Sequence, residues 1–324
     1  MKAAVMYQPG ELPQYVTNFP EPVAQNEDEI AVTVKAVAIK HLDKSRAAGK
    51  HYSTNTSKEN GRIPGGDGVC VLEDGTRVYA LGVSGMLAEK ATIDKTRIVK
   101  LPDSIDDATA AALPNAVIGA AMGLKFKAAM QQGDVVLING ATGFTGRMAV
   151  QIAKHYGAKK VIVTGRNQQS LNELLLLGAD DIISTEQTDE SFKTQLATLH
   201  SSTPFDVIID YLWGHTAEMI LACIKGNGSF TNRIRYVSVG SITGDIIQLS
   251  AANLRSVDLQ LTGSGLGAWS KAHVRMLFTE ILPEMFQLAA TGKLLVKTTS
   301  VQLENIADLW DLEVANGQRL VVMI

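Results

Sequence analysis

The sequence has few cysteines and no strong excess of charge of either sign, which excludes several classes of protein. Cys70 and Cys223 are its only cysteines. Two widely separated thiols form neither a disulfide framework nor a cysteine-rich zinc site, and they fit a reducing compartment. Neither charge is in strong excess, because the formal net charge is −3. A global basic field that would attract nucleic acid or an anionic membrane is therefore excluded.

The sequence also lacks a long uninterrupted apolar run. The longest stretch of small and apolar residues, 108–124, contains Pro114 and Gly119 and is too short to span a bilayer. The first residues, MKAAVMYQPG, show no signal-peptide pattern and predict a strand. We expect a cytoplasmic protein whose partner is a small molecule, with no nucleic acid and no membrane. A length of 324 residues suffices for two domains with separate cores.

The most informative segment is residues 134–167. A short apolar run is followed by a turn with three glycines, by apolar residues at helical spacing and by a second β-branched run, which together predict one βαβ unit. A glycine-rich turn between a buried strand and a helix N-terminus suits a pyrophosphate, since backbone N–H groups point outward and the helix dipole favours negative charge. The segment is DVVLINGATGFTGRMAVQIAKHYGAKKVIVTGRN.

The turn matches the G-x-G-x-x-G fingerprint of dinucleotide-binding sites except at its first glycine, where Ala141 stands before Gly143 and Gly146. Such a match is weak alone and stronger when a strand precedes it and a helix follows it. The alternative is a tight turn that binds nothing. We predict that the cofactor is bound by six consecutive residues, Ala141, Thr142, Gly143, Phe144, Thr145 and Gly146.

The end of the second strand, about twenty residues further on, distinguishes the two dinucleotides. A site for NAD places Asp or Glu there to accept hydrogen bonds from the ribose 2′-hydroxyl, whereas this chain has Gly165, Arg166 and Asn167. A guanidinium with no nearby carboxylate suits the 2′-phosphate of NADP. The alternative is that Arg166 is a solvated residue after a strand. We predict NADPH as the cofactor, with these three residues among its contacts.

The rest of the chain predicts an α/β fold with two different parts. Before the glycine turn, alternating and β-branched runs predict a β-rich domain. From the turn onward, six strands alternate with helices, which is the pattern of a doubly wound parallel sheet. A tail with helices at 278–290 and 304–316 and strands at 298–301 and 320–324 follows, and we expect it to rejoin the first domain. The other predicted strands are 29–39, 68–72, 77–81 and 88–101 in the first part and 134–139, 161–164, 181–184, 205–210, 235–239 and 259–262 in the sheet.

Matches to one family occur along nearly the whole chain. The block NGATGFTGRMAVQIAKHYGA and the LGAD behind it are specific as a set, and shorter matches are MKAAV at the start, HLD at 41–43, IPG at 63–65 with Asp67 and Gly68, DGTRV at 74–78, LP at 113–114 and VSVGS at 237–241. This set resembles the medium-chain dehydrogenase/reductase superfamily, and within it the zinc-independent quinone oxidoreductases. The resemblance implies a GroES-like catalytic domain (1–117 and 270–324) and a six-stranded Rossmann domain (118–269). It also adds Gly240 and Ser241 to the expected cofactor-binding residues.

The sequence departs from the wider superfamily at the positions that would bind a catalytic metal ion. Metal-dependent alcohol dehydrogenases of this superfamily have a Cys where this chain has Lys40 and a His-Glu pair where it has Gly66 and Asp67. They also carry a four-cysteine lobe, which this chain lacks. A catalytic zinc needs three protein donors, so we predict no metal site and no zinc. We expect His41 and Asp43 to make ordinary structural hydrogen bonds.

The resemblance suggests two catalytic candidates. Relatives with His-Leu-Asp at this place usually carry Asn before it, lining the nicotinamide pocket, so Lys40 is unusual. It would polarise a substrate carbonyl or hold an acidic substrate, or else reach solvent past the end of a strand. Tyr52 lies where related reductases have a tyrosine over the nicotinamide. It would hydrogen-bond the substrate oxygen, or else be a surface residue of a loop.

Without a metal, hydride transfer from NADPH to a quinone or α,β-unsaturated carbonyl is less demanding than oxidation of an alcohol. We therefore predict an NADPH-dependent quinone or enone reductase. The alternative is an NADPH-binding protein without significant turnover, with a redox-sensing, RNA-binding or structural role. A short-chain dehydrogenase is disfavoured, because Tyr156 and Lys160 follow soon after the turn rather than far downstream. The predicted edge strand at 259–262 suggests a homodimer.

Overall fold

The computed structural model describes residues 1–50, 61–228 and 231–324. The described chain divides into two compact units. Unit 1 consists of Met1–Asn115 and Phe278–Ile324, and unit 2 is Ala116–Leu277. Each unit contains its own six-stranded sheet.

The strands within the described residues are β1 (Ala3–Val5), β2 (Gln14–Val16), β3 (Glu29–Ala38), β4 (Asp67–Val71), β5 (Arg77–Gly82), β6 (Lys90–Lys100), β7 (Val135–Asn139), β8 (Lys160–Gly165), β9 (Asp181–Ser184), β10 (Val207–Asp210), β11 (Ile234–Ser238), β12 (Leu259–Gly263), β13 (Thr298–Gln302) and β14 (Arg319–Met323). The α-helices there are α1 (His41–Ala47), α2 (Asp107–Val117), α3 (Phe144–His155), α4 (Gln168–Leu176), α5 (Asp189–Ser202), α6 (Gly214–Cys223), α7 (Ala251–Ser256), α8 (Lys271–Met276), α9 (Leu282–Ala290) and α10 (Ile306–Leu309). The segments Ile118–Lys127 and Leu277–Ile281 are π-helical. No helix in the described part of the chain is long and apolar enough to cross a membrane.

Unit 1 is built on strands β3 to β6, which close on themselves. Its sheet has the order β13-β14-β3-β4-β5-β6, and β3 pairs with β6 as well. Along β3, β4 and β5 the inward residues are apolar and fully enclosed, as at Val34, Cys70 and Val78. Closing four strands into a ring leaves few unpaired edges. The C-terminal strand β14 pairs antiparallel with β3, so the end of the chain lies in this unit.

Unit 2 contains a parallel sheet whose central strands, β7, β8 and β10, are buried on both faces. Its strands are short β-branched runs such as Val161, Ile162 and Val163, all inaccessible to solvent. Burial of each such side chain contributes about 1.5–3 kcal/mol. The long helix α3 packs apolar residues such as Met148 and Ile152 into the core. Residues enclosed on both faces explain why these strands are continuous apolar runs rather than alternating ones.

The strand order of unit 2 determines where a ligand can bind. The order is β12-β11-β10-β7-β8-β9, and every neighbouring pair is parallel. The chain therefore reverses direction across the sheet between β7 and β10. Dinucleotides bind at the carboxyl ends of the strands at such a switch point. The prediction of a doubly wound six-stranded parallel sheet and a β-rich part is confirmed.

Helix α1 and the helix near residue 306 are two of the elements that differ from the sequence prediction. Helix α1 is additional, and the Asp43 carboxylate caps its start by accepting the Lys40 backbone N–H at 3.0 Å. The helix predicted at 304–316 is wrong in length, because α10 ends at Leu309. The buried apolar side chains of that segment, Ile306 and Trp310, lie in its first part, whereas Leu312 is exposed, so little burial is available to hold the later residues in a helix.

Candidate functional site

The glycine turn joins β7 to α3, and two of its glycines are required by packing. Gly140 has φ +84°, in the left-handed region that favours glycine. A Cβ on Gly146 would lie 2.5 Å from the Cα of Ala141, so only glycine lets the first turn of α3 pack against the loop. These two positions fix the path of the backbone between strand and helix.

Gly143 differs from its neighbours because the space beside it is open. It is exposed and lies at the N-cap of α3 with φ −74°, and no heavy atom comes within 4 Å of the position that a Cβ would take. The first N–H groups of a helix have no partner within the helix and attract anions. Ala141 and Phe144 on either side of Gly143 are buried. The turn therefore fits a pyrophosphate.

The end of β8 lies against the glycine turn. A Cβ on Gly165 would come within 2.4 Å of the Thr142 Cγ2, which places these two predicted residues side by side. Arg166 is exposed and has no hydrogen-bond or ion-pair partner among the residues that the structure describes. Asn167 caps α4 by accepting the Ser170 N–H at 2.8 Å. The guanidinium beside the turn suits a phosphate.

Arg147 is a residue that sequence reasoning missed. It is only 3% exposed, its Nη1 lies 2.8 Å from Glu173 Oε2 in α4, and its Nε donates to the Thr142 carbonyl at 3.2 Å. The guanidinium thus ties the glycine turn to the next helix. The available signal was an arginine between Gly146 and the apolar residues of an otherwise buried helix.

A second missed feature is a buried polar network at the carboxyl ends of four adjacent strands. Thr164 in β8 donates to Asn139 Oδ1 at 2.7 Å, and Asn139 donates to Asp210 Oδ1 at 2.8 Å. Tyr236 in β11 donates to Asp210 Oδ2 at 2.6 Å. Burial and the charge of Asp210 raise the pKa of Tyr236 well above its usual value, so the phenol remains a donor.

The predicted residues Gly240 and Ser241 follow β11 at the same edge. The Gly240 N–H donates to the Asp210 carbonyl at 3.2 Å, and a Cβ on Gly240 would lie 2.8 Å from the Tyr211 carbonyl oxygen. Ser241 is exposed. The three predicted cofactor segments therefore follow β7, β8 and β11, all at the carboxyl edge of one sheet.

Lys40 belongs to unit 1 and does not reach solvent. Its side chain is 2% exposed, and its Nζ lies 2.5 Å from Asp67 Oδ1 and 3.2 Å from Asp43 Oδ2. Burial alone would lower the pKa of Lys40, but the two carboxylates outweigh it and raise the pKa above its usual value. Burial raises the pKa of Asp43, and the ammonium partly opposes this. The solvent-exposed alternative for Lys40 is wrong.

Further groups surround the Lys40 ion pairs. The Tyr79 hydroxyl donates to Asp67 Oδ2 at 2.9 Å, and burial together with that carboxylate raises the pKa of Tyr79 well above its usual value. Burial lowers the pKa of Arg319 to about 10, although Asp43 and Asp67 oppose the shift. The cluster thus combines two cations with two carboxylates, and its charges compensate one another.

Comparison with known proteins supports the fold and the family expected from the sequence. Residues 145–285 match a family model described as zinc-binding dehydrogenase. The quinone oxidoreductase-like protein 2 homolog of Nematostella vectensis is 28% identical over 82% of this chain and 72% of its own length. The probable NADPH-dependent quinone reductase tdiC of Emericella nidulans is 26% identical over 95% of each chain.

A solved structure extends the similarity to the whole chain. The quinone oxidoreductase of Thermus thermophilus, determined also as a complex with NADPH, has a TM-score of 0.77 and 25% identity over 100% of both chains. These similarities support a quinone oxidoreductase-like protein of the medium-chain dehydrogenase/reductase superfamily, which is the family expected from the sequence.

The matched family model is named for zinc, but the donors at the expected place in this chain do not fit a zinc ion. The position of the expected cysteine is Lys40, whose ammonium already lies between Asp43 and Asp67. A cation there repels a metal ion and occupies the two carboxylates. His41 is exposed. Within the described ranges, no three His, Cys, Asp or Glu residues are grouped so that they could hold a metal ion.

The predicted site residues divide between the two units. The cofactor segments come together in unit 2, and Lys40 lies in the ionic cluster of unit 1. The second catalytic candidate, Tyr52, lies outside the described residues. The roles of Lys40 and Tyr52 in catalysis stay predictions.

Proposed function

We propose that the protein is an NADPH-dependent reductase that transfers a hydride to a quinone or an α,β-unsaturated carbonyl. The observation that carries this proposal is that the exposed Arg166 directly follows Gly165, the end of β8, which lies against the glycine turn. A carboxylate at that place would favour NAD, and a cation favours the 2′-phosphate of NADP. The complex of the Thermus thermophilus relative with NADPH supports the same cofactor.

The residues of unit 2 provide for each part of the cofactor. Backbone N–H groups at Gly143 and the start of α3 would hold the pyrophosphate, and Arg166 would hold the 2′-phosphate. The nicotinamide half of a dinucleotide extends to the other side of the switch point, where Gly240 and Ser241 follow β11. When bound, NADPH supplies the hydride.

The proposed substrate class follows from the donors at the expected zinc position, which do not fit the metal. Oxidation of an alcohol calls for a Lewis acid or a base that eases loss of the hydroxyl proton. Reduction of a quinone or enone needs only a donor, or water, near the oxygen on which charge develops. Tyr52 is the first candidate donor. Lys40 can serve only if its ammonium leaves Asp43 and Asp67, which costs two charged contacts.

A panel of substrates tests the proposal directly. The purified protein is mixed with NADPH and, in turn, with a benzoquinone, a naphthoquinone, an acyclic enone and an enal, and oxidation of NADPH is followed by its absorbance. We expect turnover with at least one of them, and more with NADPH than with NADH. Addition of a metal chelator should leave the rate unchanged. Absence of NADPH consumption with every compound would contradict the reductase proposal.

The second candidate function is NADPH binding without turnover. The buried ion pairs of Lys40 favour it, because they occupy one of the two proposed donors. A dissociation constant for NADPH in the micromolar range or below, without oxidation of NADPH by any acceptor of the panel, would favour a sensing or structural role. Weak binding of NADPH would contradict both candidates.

A further inference from the structure

Asp210 carries a buried negative charge that the proposed function does not yet use. The residue is 0% exposed, and no lysine, arginine or histidine of the described ranges forms an ion pair with it. Its partners are neutral groups. Oδ1 accepts from Asn139 Nδ2 at 2.8 Å and from the backbone N–H groups of Leu212 and Trp213 at 2.8 and 3.0 Å.

The contacts of Asp210 are arranged for an ionised carboxylate. Oδ2 accepts the Tyr236 hydroxyl at 2.6 Å, so four donors direct hydrogen atoms at the two oxygens. Neutral donors satisfy the hydrogen-bonding capacity of a carboxylate without cancelling its net charge. In a buried site the field of such a charge is screened less than it would be in water. Asp210 is therefore a fixed negative charge inside unit 2.

The position of this charge relates it to the cofactor edge of the sheet. Asp210 is the last residue of β10, and its side chain bonds to the last residue of β7, from which the glycine turn starts. Its backbone oxygen accepts the N–H groups of Val239 and Gly240 at 2.7 and 3.2 Å. Asp210 thus lies at the switch point, under the half of the edge that would receive the nicotinamide.

We propose that the Asp210 carboxylate stabilises the oxidised, positively charged nicotinamide relative to the reduced one, and so strengthens bound NADPH as a hydride donor. This inference rests on the proposed function. In the transfer, the C4–H bond breaks and its two electrons move with the hydrogen to an electron-poor carbon of the quinone or enone. The acceptor oxygen, which gains the negative charge, takes a proton from water and releases hydroxide, and the ring is left with one positive charge. A nearby fixed anion favours that product state.

A purely structural role for Asp210 makes a different prediction. Its Oδ1 holds the loop after β10, where Trp213 has an unusual φ of +59°, a backbone conformation that costs energy for a residue other than glycine. If Asp210 only held this loop, its loss would weaken the binding of the oxidised and the reduced cofactor equally. If its charge acts on the ring, the ratio of the two affinities changes.

The experiment compares dissociation constants of NADP⁺ and NADPH for wild type, Asp210→Asn and Asp206→Asn by calorimetric titration. Asparagine keeps the shape of Asp210, and its amide can donate to Tyr236, which then accepts. A unit charge about 10 Å away, at an effective dielectric constant of about 20, changes an affinity roughly tenfold. We expect Asp210→Asn to raise the dissociation constant of NADP⁺ roughly tenfold relative to that of NADPH.

Asp206→Asn is the matched control. Asp206 precedes the same strand and accepts the Val135 N–H at 2.9 Å, but it lies roughly 13 Å away at the amino edge. For Asp206→Asn we expect the ratio of the NADP⁺ and NADPH dissociation constants to stay within about twofold of the wild-type ratio. An equal shift in the control would overturn the inference, since the ratio would then not depend on the place of the charge.

Tyr236→Phe separates the charge from the hydrogen bonds and remains informative if Asp210→Asn does not fold. It removes one donor and keeps the carboxylate. The ratio of the NADPH and NADP⁺ dissociation constants should therefore stay as in wild type or shift further in favour of NADP⁺, and this effect of the charge is the preference for NADP⁺. A loss of that preference in Tyr236→Phe, or an unchanged ratio in folded Asp210→Asn, would overturn this inference alone. A wild-type protein that binds neither nucleotide would overturn the proposed function as well.

Discussion

Arg166 is the single side chain on which the proposed choice of cofactor depends. We predict that Arg166→Glu raises KM for NADPH roughly 10- to 100-fold, the effect of losing charged hydrogen bonds worth about 1.5–3 kcal/mol. KM for NADH should stay the same or fall, because a carboxylate at this place can accept from the ribose 2′-hydroxyl. Steady-state kinetics with both cofactors measure this.

Arg233→Glu serves as the control for Arg166→Glu. Arg233 is also in unit 2, but it precedes β11 at the amino edge, where its exposed side chain lies 3.0 Å from Asp258. The same charge reversal there should leave both KM values unchanged. If the two variants had equal effects on NADPH, net charge rather than the Arg166 position would set the preference.

Alanine substitutions at two glycines of the same turn are expected to affect different properties, NADPH affinity in one case and stability in the other. In Gly143→Ala the methyl group enters the open space over α3, so NADPH affinity should fall by about 1–3 kcal/mol while the melting temperature stays unchanged. In Gly146→Ala the methyl group meets the Ala141 backbone, so stability itself should fall by about 1–3 kcal/mol.

Calorimetric titration and thermal melting distinguish these two outcomes. Gly123→Ala is a suitable control, because its Cβ would meet only Ile209 Cδ1, at 4.0 Å. It should change neither quantity much. Wild-type affinity for NADPH in Gly143→Ala would show that the phosphates do not bind over the start of α3.

At the residue scale, the sequence pointed to those candidate site residues that lie close together in the chain and form a local pattern. The glycine turn and Arg166 belong to one βαβ unit, so their spacing in the sequence was enough to propose them as cofactor-binding residues. Asp210 and Arg147 could not be identified in this way. Asn139 and Asp210 are 71 residues apart in the chain, and each acquires its partner only when the strands pair. A buried polar residue shows its role only through such distant contacts.

Lys40 links two elements of unit 1, the end of β3 and the start of α1. We predict that Lys40→Met lowers the free energy of unfolding by about 3–5 kcal/mol, because it leaves Asp43 and Asp67 buried without their cation. Denaturant unfolding measures the change. The control is Lys44→Met on the same helix, whose partly exposed ion pair with Asp311 spans 3.4 Å and should contribute less than about 1 kcal/mol.

The outcome for Lys40→Met also bears on its predicted part in catalysis. A stable, folded variant with a much reduced kcat would assign Lys40 to the chemistry rather than to the fold. Equal stability losses in Lys40→Met and Lys44→Met would contradict the buried ion cluster as a source of stability.

His200 makes the connection between α5 and β10 sensitive to pH. Its Nδ1 accepts the Phe205 N–H at 3.1 Å, which only the neutral ring can do. Burial lowers the pKa of His200 below its usual 6.5. A lowered folded pKa means that its contribution to stability is complete above pH 6.5 and is lost as pH falls below that value.

Unfolding at a series of pH values from neutral to mildly acidic tests this contribution. The His200→Asn variant keeps an acceptor near Nδ1 but does not titrate, so its stability should fall less than that of wild type as the pH is lowered. His215, which is exposed beside Asp189, provides the control when changed to Asn. Parallel profiles for wild type and His200→Asn would contradict the prediction.

At the element scale, strands were predicted better than short helices. A strand of unit 2 is a continuous β-branched run, and its signal is contained in the segment itself. Helix α1 has only seven residues, too few for a period to be recognised, and it is held by the Asp43 cap and by packing of Ala47 in the core. Such helices depend on tertiary contacts.

For the whole molecule, the parallel sheet of unit 2 could be predicted from the alternation of strands and helices, because parallel strands need crossover connections. The closure of unit 1 could not. Strand β3 pairs with β4, β6 and β14, and no local pattern specifies three partners for one long strand. Pairing of distant segments is set by which buried faces fit together.

Association of two copies through the edge strand β12 is the last prediction. β12 has a neighbour on one side only among the described strands, so its outer N–H and C=O groups lack strand partners there, and Leu261 is 36% exposed. We propose that a second copy pairs with this edge about a two-fold axis, which brings the two Leu261 residues near each other. Light scattering should then give twice the mass of the chain. Leu261→Lys would place like charges together and give a monomer, whereas Leu176→Lys, at a leucine 87% exposed on α4, should remain a dimer. A wild-type protein with the mass of one chain would contradict this assembly.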